Sequence, residues 1–88
     1  MAVDYFIRPK QGKNPRELAK ELEFINSDVD GISENDKEKY GLGEEYSLHI
    51  RMNIKHYSDV YAVLDAIKAI KGVDDVKMFY DKITDFGT

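Results

Sequence analysis

The chain has no cysteine, which removes disulfide staples, thiolate nucleophiles and cysteine-bound zinc from consideration. Histidine is scarce too. His49 and His56 are the two present, and neither has a second histidine at i+2 or i+4 to form a metal pair. No apolar run approaches the roughly 20 residues that span a bilayer, and Met1-Ala2-Val3-Asp4 has neither the basic start nor the long apolar stretch of a signal peptide. A cytoplasmic location with no membrane partner is the expectation. Proline occurs twice, and both copies punctuate: Pro9 stops a strand because it cannot donate to a ladder, and Pro15 suits the first position of a helix.

What is present describes a small folded unit. Charged residues make up 34% of the 88 and apolar ones 42%, a globular rather than a disordered balance. A chain this short buries roughly 60% of its unfolded surface, enough for one core and one domain over residues 1–88. The formal net charge of −4 is unevenly spread. Residues 26 to 46 hold Asp28, Asp30, Glu34, Asp36, Glu38, Glu44 and Glu45 against Lys37 and Lys39, a local charge of −5 that leaves the remainder at +1. One acidic segment thus sits on a near-neutral body.

Periodicity supplies the elements. Val3, Tyr5 and Ile7 alternate with Asp4, Phe6 and Arg8 as in a half-buried strand. Asn14-Pro15-Arg16-Glu17 reads as a helix start, with Leu18, Ala19, Leu22 and Ile25 on one side of the helix that follows. Asp28 to Ser33 is a weak edge strand in which Gly31 marks a bulge or bend. Residues 34 to 45 read as an acidic loop punctuated by Gly41 and Gly43. Tyr46 to Lys55 alternates without a slip and is the strongest strand signal in the chain. Ser58 is the expected cap of a second helix striped by Val60, Val63, Leu64, Ile67 and Ile70, and Gly72 its expected left-handed stop. In the last strand Val76, Met78 and Tyr80 point one way and Lys77, Phe79 and Asp81 the other. Residues 84 to 88 are expected to form a flexible tail.

The order strand, helix, strand, strand, helix, strand is the split βαβ pattern of an α+β, ferredoxin-like sandwich, a four-stranded antiparallel sheet with two helices on one face. The closing run, a helix, Gly72-Val73 and then Val76-x-Met78, resembles ferredoxin-like modules such as the amino-acid-sensing ACT domains and the exchange domain of elongation factor 1 beta. That resemblance covers the last third of the chain and implies a fold, not a function.

Two helices cover one face of such a sheet. The other face would gather Phe6, Arg8, His49, Arg51, Lys77 and Phe79, completed by Asp4, Ser47, Asn53, Lys55 and Asp81. Its rings and cations would suit a partner protein or a second copy of the chain. They would equally offer a stacking platform for single-stranded nucleic acid, in a layout that resembles an RNA-recognition motif. That family's basic-glycine-aromatic signature is replaced here by Ser47, His49 and Arg51, so the nucleic-acid reading takes second place. The acidic loop offers a second surface for a basic protein, with Glu34, Asp36, Glu38, Glu44 and Glu45 supplying charge and Tyr40 and Leu42 apolar anchors. As a calcium loop the segment fails, because Asn26, Asp28, Asp30 and Gly31 fit but Lys37 stands where a bidentate glutamate is needed. No nucleophile, base and orienting group fall into a recognisable pattern, and no residues are assigned to catalysis, a metal or a cofactor. The sequence reading is therefore a non-enzymatic protein-interaction domain, a regulator or inhibitor of its partner.

Overall fold

A computed structural model of the chain describes residues 1–80. The expected tail at 84 to 88 and Asp81 lie outside the described residues. Alternation in the first strand and Asn14-Pro15 after it set the opening of the fold: β1 runs Ala2–Pro9 and α1 runs Pro15–Glu21, with the Asn14 side chain accepting from Arg16 N–H at 2.8 Å. A short edge strand β2, Val29–Gly31, precedes a second helix α2, Glu34–Tyr40. Strand β3 spans Leu48–Asn53, helix α3 Tyr57–Lys68 and strand β4 Val73–Tyr80. The class is α+β, with three helices among the described residues.

The four strands form one antiparallel sheet in the order β2-β3-β1-β4. Strand β1 is thus central, paired on one side with β3 (Asp4 opposite Arg51, Phe6 opposite His49) and on the other with β4 (Asp4 opposite Phe79, Phe6 opposite Lys77). Because side chains alternate along a strand, this register divides the residues between two faces. Val3, Tyr5, Ile7, Leu48, Ile50 and Val76 join Leu18 and Leu22, together with Val60 and Ile67 of α3, in the main core. The hydroxyl of Tyr5 donates to the carbonyl of Val60 at 2.7 Å, tying the central strand to the first turn of α3, and burial pushes that phenol up to about 12.

The opposite face is where expectation and structure part. Residues 34 to 40 are not loop but α2, which makes the helices three rather than two. Ser33 caps it by accepting from Asp36 N–H at 3.1 Å. Gly41, at φ 64°, ends it with Leu42 N–H donating to Lys37 O at 2.8 Å and Gly41 N–H to Glu38 O at 3.4 Å. Those two bonds form a Schellman closure, which needs the left-handed conformation that glycine adopts at no steric cost. The closure turns Leu42 inward. Phe6, Leu42 and Tyr46 are buried together, with Ile32, Tyr40 and Phe79 packed around them, as a second apolar cluster on the face expected to be bare.

Smaller differences have local causes. The N-cap of α3 is His56, not Ser58: the N–H groups of Asp59 and Val60 both donate to His56 O, at 3.0 and 3.4 Å, so the helix starts ahead of the serine. Gly72 is not a left-handed cap, since Gly12 and Gly41 are the described glycines with positive φ and α3 ends at Ala69 in the right-handed region. The ladder between β2 and β3 carries no shift at Gly31, which faces Leu48 directly. Tyr46 lies ahead of β3 rather than inside it.

Leu42 seals the second cluster, so Leu42→Ala is expected to cost about 2–3 kcal/mol in denaturant unfolding. Because the variant opens a path to Phe6, its native baseline should bind a hydrophobic dye that the parent protein ignores.

Candidate functional site

The polar part of the second face is built around one carboxylate. Asp4 lies mid-strand in β1 and is 6% exposed, the single charged residue in the buried set. A carboxylate so removed from water is stable only when paired and hydrogen-bonded. The register supplies both partners from β3. Arg51, directly opposite, donates from Nη1 to the two carboxylate oxygens at 3.0 and 2.9 Å, and His49 Nε2 lies 2.7 Å from Oδ1. His49 in turn stacks on Phe6, centroids 4.6 Å apart and planes 21° from parallel. Sequence reading put these residues on a common face but treated them as a free basic field; the structure makes Arg51 the counter-charge of Asp4 and His49 its hydrogen-bonding neighbour.

A carboxylate orienting an imidazole is also a fragment of hydrolytic machinery, which needs a nucleophile in reach. Ser47, one residue ahead of β3, has a buried Oγ with no hydrogen-bond partner among the described residues. The hydrogen bond that His49 makes is to Asp4, and no relay to the serine forms. A hollow of about 340 Å3 opens beside the cluster, lined by Asp28, Asp30, His49, Arg51, Met52 and Asn53. Among the described residues no group of three or more His, Asp or Glu side chains converges as a metal would require.

The remaining sheet-face candidates are engaged around Tyr46. Arg8 Nε donates to Asp74 at 2.7 Å, and its guanidinium carbon stands 5.4 Å from the centre of the Tyr46 ring. The Lys77 ammonium lies over the same ring at 5.2 Å. The Tyr46 hydroxyl donates to Asp75 in a short hydrogen bond. Burial, then the carboxylate it bonds, pushes the Tyr46 phenol up to about 12, and the same bond holds the Asp75 carboxyl below its ordinary range. Phe6 is fully buried, while Phe79 is half-buried at 4.6 Å from the Tyr40 ring, centroid to centroid. A base seeking a ring to stack on would meet α2 instead.

The acidic candidates divide as well. Tyr40 and Leu42, expected as exposed anchors, face inward: Leu42 is buried and Tyr40 packs on Phe6 with centroids 5.0 Å apart. The carboxylates face outward. Lys37 folds against Glu44 at 2.9 Å and Glu34 at 3.6 Å, while Glu38 and Glu45 are exposed and have no ion-pair partner among the described residues. Sequence reading missed the helix beneath them, although Ser33-x-x-Asp36 is a capping pattern and Tyr40-Gly41-Leu42 an apolar-glycine-apolar stop.

Comparison of the chain with protein-family models, curated proteins and solved structures finds no match.

The Tyr46 to Asp75 bond has a pH signature. The Asp75 pKa is depressed in the folded state, so the bond's contribution is full above the unfolded value of about 4 and is lost as pH falls through the lower folded value. Tyr46→Phe is expected to cost about 1 kcal/mol at pH 7, discounted for the partial exposure of Asp75. In urea melts repeated at descending pH, the gap between variant and parent should narrow below about pH 4.

Proposed function

We propose that the chain is a non-enzymatic protein-interaction domain, a regulator or inhibitor that engages a basic partner through the exposed side of α2 and the residues that follow it. The observation that supports this reading is the two-sidedness of the acidic segment. Its apolar residues Tyr40, Leu42 and Tyr46 are fastened over Phe6, and its carboxylates Glu34, Glu38, Glu44 and Glu45 are left exposed on a backbone held at both ends by caps. A flexible acidic loop would lose ordering entropy on binding. A fastened one has lost it already, which favours affinity and fixes the spacing of the charges. A cytoplasmic setting fits a chain without cysteine and without a helix, among the described residues, long and apolar enough to cross a membrane. The strand order β2-β3-β1-β4 supports a ferredoxin-like frame in which α2 is inserted between the second and third strands.

Self-association or nucleic-acid binding through the sheet face is less well supported. Phe6 has no exposed surface, Arg51 is committed to Asp4 and Arg8 to Asp74. Either use would require α2 to lift off its own cluster.

The test is fluorescence anisotropy of a labelled lysine- and arginine-rich peptide titrated with the full chain over a salt series. Saturable binding should weaken with salt and be lost in the combined variant Glu34→Gln, Asp36→Asn, Glu38→Gln, Glu45→Gln, while Lys55→Gln leaves it in place. Peptide binding that is indifferent to those four neutralisations would overturn the reading, as would a single-stranded oligonucleotide that binds more tightly than the peptide.

A further inference from the structure

Away from α2, the segment between β1 and α1 and the turn between α3 and β4 border a second hollow, open to solvent. The Lys10 N–H donates to Gly72 O at 2.8 Å and the Lys13 N–H to Lys10 O at 2.9 Å, so the two segments are fixed against each other. The hollow measures about 470 Å3, the size of a small-molecule site. Lys10, Gln11, Lys13, Glu21 and Lys71 line it. Three lysines and one glutamate thus line it, and with Glu17, 3.8 Å from the Lys13 ammonium, these side chains carry a formal charge of +1 on a chain whose formal net charge is −4.

The three lysines are not equivalent. Lys13 Nζ is held 2.9 Å from Glu21 and 3.8 Å from Glu17. Its stem lies across Gly72, where a Cβ would come within 2.9 Å of Lys13 Cε, so the glycine leaves the room that this lysine occupies. Lys10 and Lys71 are exposed, and no described carboxylate stands within ion-pair distance of either. Gly12, at φ 85°, makes the sharp turn that brings Gln11 and Lys13 to the same cavity. An open hollow lined by two lysines without a described ion-pair partner and a third tethered to carboxylates offers donors suited to an anion.

We infer that this hollow binds the phosphate group of a small phosphate monoester. Lys10 and Lys71 contact the non-bridging oxygens as point charges with rotatable donors, and Lys13 adds a third donor from within. The carboxylates of Glu17 and Glu21 border the site, so a long polyanion is repelled while a single phosphate group fits between the lysines. Glu21 is placed to accept a hydrogen bond from a hydroxyl on the body of such a ligand. This site shares no residue with the acidic surface of α2, and its failure would leave the peptide-binding reading untouched.

The experiment is an amide chemical-shift titration of the full chain with inorganic phosphate and with glycerol phosphate, each against chloride at matched ionic strength. Saturable shifts confined to residues 10 to 13 and 71 to 72 are expected with both phosphates. The double variant Lys10→Gln, Lys71→Gln should bind about tenfold more weakly, its fold verified by unchanged shifts elsewhere. Glu21→Gln, which frees Lys13 from its competitor, should bind more tightly than the parent. Shifts that never saturate and are reproduced by chloride would mean an adventitious ion only and would overturn the site, as would unaltered affinity in the double variant. A single-stranded oligonucleotide shifting the same amides at lower concentration than phosphate would overturn the small-ligand assignment.

Discussion

A four-stranded sheet has two faces, and Phe6 sits on the central strand on the face that α1 and α3 do not reach. A buried aromatic ring is worth roughly 1.5–3 kcal/mol relative to an exposed one, and contacts between rings add about 0.5–1.5 kcal/mol each. In a domain whose net stability is only about 5–15 kcal/mol, leaving that ring in water would be a considerable loss. The chain meets this constraint by spending residues 32 to 46 on a cover. Ile32 enters the cluster, α2 crosses the face, Tyr40 and Leu42 close on the ring, and Tyr46 completes the seal before β3 begins. The acidity of the segment is compatible with this placement, because a helix whose one apolar residue, Tyr40, lies at its end has the rest of its surface free for charge.

The same constraint explains the polar half of that face. With Phe6 covered, neighbouring Asp4 is drawn under cover too, and a partly dehydrated carboxylate needs compensation that solvent no longer supplies. Arg51 and His49 provide it from the adjoining strand, and the stacking of His49 on Phe6 links ion pair to apolar cluster in one continuous layer. On the opposite flank, Arg8 and Lys77 bracket Tyr46 in the same manner, with Asp74 and Asp75 closing the charge pattern. Cations that looked available for a ligand are largely structural.

How far the sequence foretold this depends on the length of the pattern. Val3-Tyr5-Ile7, the alternation from Leu48 to Asn53 and the stripe from Val60 to Ile70 repeat often enough to declare strand or helix and to assign each residue to a face. Phe6 and Phe79 were placed together correctly, and Tyr5 and Met78 on the other side. The helix α2 escaped because its seven residues carry one apolar side chain, Tyr40, and so no periodicity. Its signals were its ends, Ser33 and Gly41, and caps are short patterns that a polar loop also displays. The Asp4 pairing escaped for a different reason: alternation tells which face a residue occupies, whereas the match of Asp4 with Arg51 depends on strand register, which exists only once β1 and β3 have met.

Helix α2 contains no fully buried residue and is held to the sheet by Tyr40 at its last position and Leu42 just beyond it. Ile32 ahead of the helix joins the same cluster, so the cover is pinned on both sides while the helix between is solvated. Residues 33 to 41 take no part in the ladders of β1, β3 and β4, so their amide hydrogens should trade with deuterium faster than those of the central strand.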